Sequence, residues 1–143
     1  MLNSEKAQAV ILKQIPLDKT VVERVKQALE RKGVTLSQSE DIDKNLISRG
    51  REATVYDPGD LILMHTRVSV SGFFEELIHY GQILNGHYNR NSPTDIIKME
   101  IEAQEKLIKH RDAYRIPDEE IALLTENLAH YKMTLVRLED GGC

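Results

Sequence analysis

Ala53-Thr54-Val55-Tyr56-Asp57-Pro58-Gly59-Asp60-Leu61-Ile62-Leu63-Met64 decides the fold class. Two short apolar runs flank a turn in which Pro presets φ and Gly accepts positive φ. The pattern predicts a hairpin in a chain that otherwise reads as helical. Downstream, from Ser69, the apolar period turns helical. Ser71 is expected to cap a helix through Leu84 that ends at Asn85-Gly86. A polar loop covers 87–93. Ser92 or Thr94 then starts a long helix to Tyr114, broken by Ile116-Pro117-Asp118. A last helix runs from Pro117 to Leu138, with Pro at a tolerated first-turn position, and 139–143 read as a frayed tail. Upstream, Asp18 to Lys32 carries Val21, Val22, Val25, Ala28 and Leu29 at helical spacing and stops at Gly33. Val34–Ser37 reads as a short strand and Asp41 to Ser48 as a short helix. Helix, short strands and then three helices make an α+β fold.

The 143 residues are expected to form one domain, 1–143, long enough to bury a core. A net charge of −4 with no basic patch argues against a nucleic-acid partner. No apolar run approaches the ~20 residues needed to cross a bilayer, and the N-terminus lacks the pattern of a signal peptide. The one cysteine, Cys143, can form no intrachain disulfide or cysteine metal site, so a cytoplasmic setting is expected. Nothing in the pattern specifies an oligomeric state.

The chemistry centres on Phe73-Phe74-Glu75-Glu76-Leu77-Ile78-His79-Tyr80-Gly81-Gln82. At ~100° per residue, Phe73, Phe74, Leu77, Tyr80 and Leu84 fall on one side, and Glu75, His79 and Gln82 on the other, with Glu76 at the edge. H-E-x-x-H sets two metal-binding imidazoles four apart on one helical face with a Glu base beside them. Here Glu75 stands in the first His position. In the next helix Ile96, Ile97, Met99, Ile101, Ala103, Leu107 and Ile108 define an apolar face. Glu100 projects into its middle, Gln104 lies one turn on, and Glu102 and Glu105 project away. A carboxylate on an apolar face needs a partner: an internal arginine such as Arg49 or Arg67, or a metal ion. With Glu75 and His79, Glu100 would complete three zinc ligands and leave a fourth position for water. Glu76 would be the general base, and Gln82 and Gln104 would hydrogen-bond to the ligands. Glu in place of His adds negative charge and makes the site less selective among metals.

EELIHYGQ, followed by MEIEAQEKLI and by KHRDAYRIPDEEIALLTENLAHYKMTLVRL, resembles the zincin-like metallopeptidase domains of phage and prophage proteins. Some of these end phage head-morphogenesis proteins, and others resemble toxin domains of polymorphic toxin systems. The likeness covers about Glu52 to Leu138. The pattern is also similar to the zinc peptidases that cleave phage repressors, whose downstream Glu-x-x-Ala corresponds to Glu100-Ile101-Glu102-Ala103. The resemblance implies a short sheet with an edge strand, residues 61–64 continuing toward Val68, followed by the active-site helix and two long C-terminal helices. It also implies zinc, a protein or peptide substrate, and an edge that holds peptide by strand addition. Glu75 departs from the pattern, which has His at that position.

Two other readings compete. An inactive zincin-like scaffold would serve as a binding or structural module. A helical di-iron protein would use Glu76-x-x-His79, but it needs a second Glu-x-x-His that the chain lacks. His65 reads as a packing or surface residue close enough to line a cleft, and His87, His110 and His130 as solvated.

Overall fold

The computed structural model describes residues 4–14, 16–56 and 59–141. Asp57 and Pro58 of the expected turn, and Cys143, lie outside them. The chain divides into two compact units, 1–76 and 77–143.

In the first unit the helices are α1 (Ser4–Lys13), α2 (Lys19–Glu30) and α3 (Glu40–Ser48), and the strands are β1 (Thr35–Ser37), β2 (Ala53–Tyr56) and β3 (Leu61–Met64). The Asp18 carboxylate accepts from the Thr20 N–H at 2.7 Å and starts α2. Gly33, at φ 80°, ends that turn and lets the chain enter β1. Ser39 caps α3 by accepting from the Ile42 N–H.

The expected hairpin forms: β2 and β3 pair antiparallel, with Val55 opposite Ile62 and Ala53 opposite Met64. The expectation of an open edge at 61–64 is not met. The strand order is β1-β3-β2, and β1 pairs parallel to β3 with Leu36 opposite Ile62. β3 is therefore the middle strand, its ladder occupied on both sides, and cannot take a peptide by strand addition. Burial is the physical reason. Ile62 and Met64 are fully buried and Leu36 nearly so, so apolar rows cross all three strands.

The helix α1 was not anticipated in the sequence reading. Its larger apolar residues are confined to its last turn, where Ile11 is buried, and α1 packs against α3. Tertiary contact rather than intrinsic propensity stabilises so short a helix.

α4 (Val70–Asn85) passes through the division between the units. Its cap is Ser69, not Ser71: the Ser69 Oγ accepts from the Gly72 N–H at 3.0 Å. Glu52 sits over this start, accepting from the Ser69 N–H at 2.8 Å and the Ser69 hydroxyl at 2.9 Å. Gly72 makes room for it, since a Cβ there would lie 2.5 Å from Glu52 Oε1. Gly86, at φ 65°, terminates α4. Phe73 and Tyr80 are buried as projected, but Leu84 in the last turn is 61% exposed.

The second unit adds α5 (Pro93–Lys109), α6 (Arg111–Tyr114) and α7 (Asp118–Glu139). Ser92 caps α5 by accepting from the Asp95 N–H. The single helix expected to reach Tyr114 is broken at His110. The break and the left-handed Arg115, at φ 56°, turn the chain so that Ile116 is buried and α7 packs along α5. Met99, Ala103 and Leu107 of α5 and Ile121 and Leu124 of α7 are buried. Ile96, placed on the apolar face by projection, is exposed in the first turns of α5.

Burial pushes the Glu52 carboxyl above the ordinary carboxylate range, and the charge of Glu75 adds to this. Hydrogen bonds from Ser69 and Gln14 oppose it. The folded state thus holds the Glu52 proton more tightly than the unfolded chain, whose carboxyl titrates near 4.5. Stability from this group is present below that pH and is lost as pH rises through the folded value. Glu52→Gln cannot ionise. The melting temperature of the wild type is expected to fall relative to this variant as pH rises from about 4 to about 8. A difference that stays flat across that range would show that Glu52 titrates normally.

Candidate metal centre

Helix geometry sets Glu75 and His79 on adjacent turns of one face of α4. Within the second unit, His79 Nε2 lies 3.3 Å from Glu100 Oε1 on α5. One ligand atom each from Glu75, His79 and Glu100 fall within 4.8 Å of one another. All three residues are partly buried, with 13% of the His79 side chain and 25% of the Glu100 side chain exposed. A tetrahedral shell with ~2.1 Å bonds spaces its ligand atoms about 3.4 Å apart. The His79–Glu100 spacing already suits it. Arg49, one of the suggested partners for Glu100, instead donates to the Tyr56 hydroxyl at 2.6 Å, and Arg67 donates to the Gln14 carbonyl.

The orientation of the imidazole follows from Gln82, which is buried. Its Nε2 donates to the Met99 carbonyl at 3.1 Å and to Glu102 Oε1 at 2.8 Å. Two acceptors on that side leave the Gln82 Oε1 facing His79 Nδ1, at 2.7 Å. An oxygen there accepts, so Nδ1 carries a proton. In the neutral ring Nε2 then bears the lone pair, and it faces the Glu100 carboxylate. Metal-ligating imidazoles commonly give their other N–H to such an acceptor.

Glu102 projects away from the apolar face of α5, as the sequence pattern places it, and still reaches the residues around His79. It takes a hydrogen bond from Gln82 and another from the Tyr88 hydroxyl at 3.1 Å. Burial raises its carboxyl pKa, but the bonds from Gln82 and Tyr88 and the charge of Lys106 outweigh this and hold it below the usual range. Tyr88 is pushed up by burial and by its bond to Glu102. The helical projection was sound; what it lacked was the position of Gln82 and of the loop after Gly86 beside α5.

Glu76 follows Glu75 on α4, is partly buried, and lies outside the metal-competent group. Gln104 is buried one turn beyond Glu100, while Gln82 Oε1 is the acceptor 2.7 Å from Nδ1 of the His79 ring. Glu52 is a further acidic neighbour of Glu75, through its effect on the Glu52 carboxyl, and carries no sequence signal. His65 is buried and closes a local turn: its Nδ1 accepts from the Arg67 N–H at 2.9 Å. His87, His110 and His130 are exposed, as is Glu126. Among the described residues no helix is long and apolar enough to cross a membrane. No protein-family model, curated protein or solved structure matches the chain.

Proposed function

We propose that Glu75, His79 and Glu100 hold a divalent metal ion and that the chain hydrolyses peptide bonds as a zincin-like metallopeptidase. The observation that carries this reading is the convergence of the three ligand atoms, with the other ring nitrogen of His79, Nδ1, held 2.7 Å from Gln82 Oε1. A bound ion would act as a Lewis acid and acidify a water molecule. Glu76, next on the helix, would be the group to take the proton of that water as its oxygen bonds to the carbonyl carbon. It returns the proton to the amine as the C–N bond breaks. Two carboxylates and one imidazole make a harder donor set than two imidazoles and one carboxylate, so manganese competes with zinc here. The resemblance of EELIHYGQ and MEIEAQEKLI to phage and prophage domains points to the same chemistry, and the lone Cys143 fits a reducing, cytoplasmic setting.

The 3.3 Å contact between His79 Nε2 and Glu100 Oε1 also suits an imidazolium–carboxylate pair. On that reading the chain is a metal-free scaffold that binds a partner. Metal analysis of protein purified without a histidine tag, with zinc and manganese titrations, separates the two. Bound metal, or a rise in melting temperature with either ion, supports the metal centre. Absence of both effects would sink it. Peptide hydrolysis then tests the activity. Glu76→Gln is expected to abolish cleavage and leave metal affinity within a few-fold of wild type. Loss of both together would remove Glu76 from the role of base.

A further inference from the structure

We propose that Glu102 and Tyr88 are positioning residues: acting through Gln82, they hold His79 in the tautomer with its proton on Nδ1. The inference rests on the metal-centre reading for its purpose, but the tautomer itself is a property of the metal-free protein.

A buried amide can turn over and exchange its oxygen for its nitrogen. In the reversed orientation Gln82 would set its oxygen against the Met99 carbonyl, 3.1 Å away, and Glu102 Oε1, 2.8 Å away. That orientation would break both Gln82 hydrogen bonds and set three acceptor oxygens against one another, with only Lys106, 3.7 Å from Glu102 Oε1, left to offset the repulsion. Glu102 supplies the stronger of the two demands, because a charged acceptor makes a stronger hydrogen bond than a carbonyl. Tyr88 fixes the other carboxylate oxygen, Oε2, at 3.1 Å and keeps Oε1 directed at Gln82. The demand passes along the chain: Tyr88 sets Glu102, Glu102 sets Gln82, and Gln82 accepts only from a protonated Nδ1. In the neutral ring the Nε2 lone pair is thereby kept toward Glu75 and Glu100, against the pull of Glu100 Oε1, 3.3 Å away, for a proton on that nitrogen. With the Nε2–H tautomer that position would be blocked to a cation.

Ring-nitrogen NMR of the ¹⁵N-labelled full chain, in metal-free buffer at a pH where the imidazoles are neutral, reads the tautomer directly. Wild-type His79 is expected as Nδ1–H. Glu102→Ala is expected to move it toward Nε2–H and to weaken Zn²⁺ affinity roughly 10- to 100-fold. Gln82 and Glu102 line a cavity of about 410 Å³, so the shortened side chain is replaced by water. Glu102→Gln keeps a carbonyl acceptor and should restore both readouts to within a few-fold. Tyr88→Phe, a smaller change that retains the fold if Glu102→Ala does not, should shift the ring nitrogens in the same direction by less. A wild-type His79 in the Nε2–H form would overturn the proposal. So would variants at 102 and 88 whose ring shifts match the wild type, or a Glu102→Gln no better than Glu102→Ala. An Nδ1–H wild type that binds neither Zn²⁺ nor Mn²⁺ would sink the metal centre and leave this inference standing.

Discussion

His79→Ala is expected to eliminate the gain in melting temperature that zinc or manganese gives the wild-type protein. The imidazole is the only nitrogen ligand of the group, and its Nε2 is the atom nearest Glu100, at 3.3 Å. Without it, two carboxylates remain to share an ion that favours mixed nitrogen and oxygen donors. A ligand present at a hundred times its dissociation constant stabilises the folded state by about 2.7 kcal/mol. For a chain of this length that corresponds to a shift of roughly 5 to 10 °C, which differential scanning calorimetry resolves easily. Glu100→Gln should reduce the shift, because a neutral amide is a weaker oxygen ligand. Glu75→His should increase it for zinc, by creating H-E-x-x-H and removing one negative charge. A variant lacking His79 that gains as much as the wild type would place the ion elsewhere, and equal behaviour of Glu75→His and wild type would remove Glu75 from the ligand set.

The second large effect concerns stability. Ile62→Ala is expected to cost about 2–5 kcal/mol, measured by urea unfolding, through lost transfer energy plus the cavity left behind. Ile62 is fully buried in the middle strand, with Leu36 on one side and Val55 on the other. Neither neighbour can collapse into the gap without breaking its own ladder. That is a large part of the 5–15 kcal/mol that stabilises a typical domain. Leu123→Ala, at a site 52% exposed, is the control and should change stability by less than about 0.5 kcal/mol. A cost below about 1 kcal/mol for Ile62→Ala would mean that β3 is not the centre of the first unit's core.

The hairpin, the helix ends at Gly33 and Gly86, and the break before Pro117 were legible because each depends on residues near one another in sequence. The spacing of Glu75 from His79 was legible for the same reason, since a helix fixes it. Glu100 stood out because a carboxylate interrupts an apolar row. The middle position of β3 was not legible. Its parallel partner is the three-residue strand at Thr35–Ser37, and so short a segment carries no register signal of its own. Ser69 and Ser71 are equally good caps by composition. The choice of Ser69 depends on Glu52, which binds its N–H and hydroxyl from a distant part of the chain.

The sequence by itself determined which residues can meet along one helix: Glu75 with His79, and Gln82 one turn further. It also determined that Glu100 needed a partner. Only the tertiary structure decided that the partner is His79, and that Gln82 turns its oxygen to the ring. The physical reason is that an amide has two nearly equal faces, and its orientation is set by what lies on each. Met99, Glu102 and Tyr88 come from a separate helix and loop, and periodicity along α4 contains no information about them.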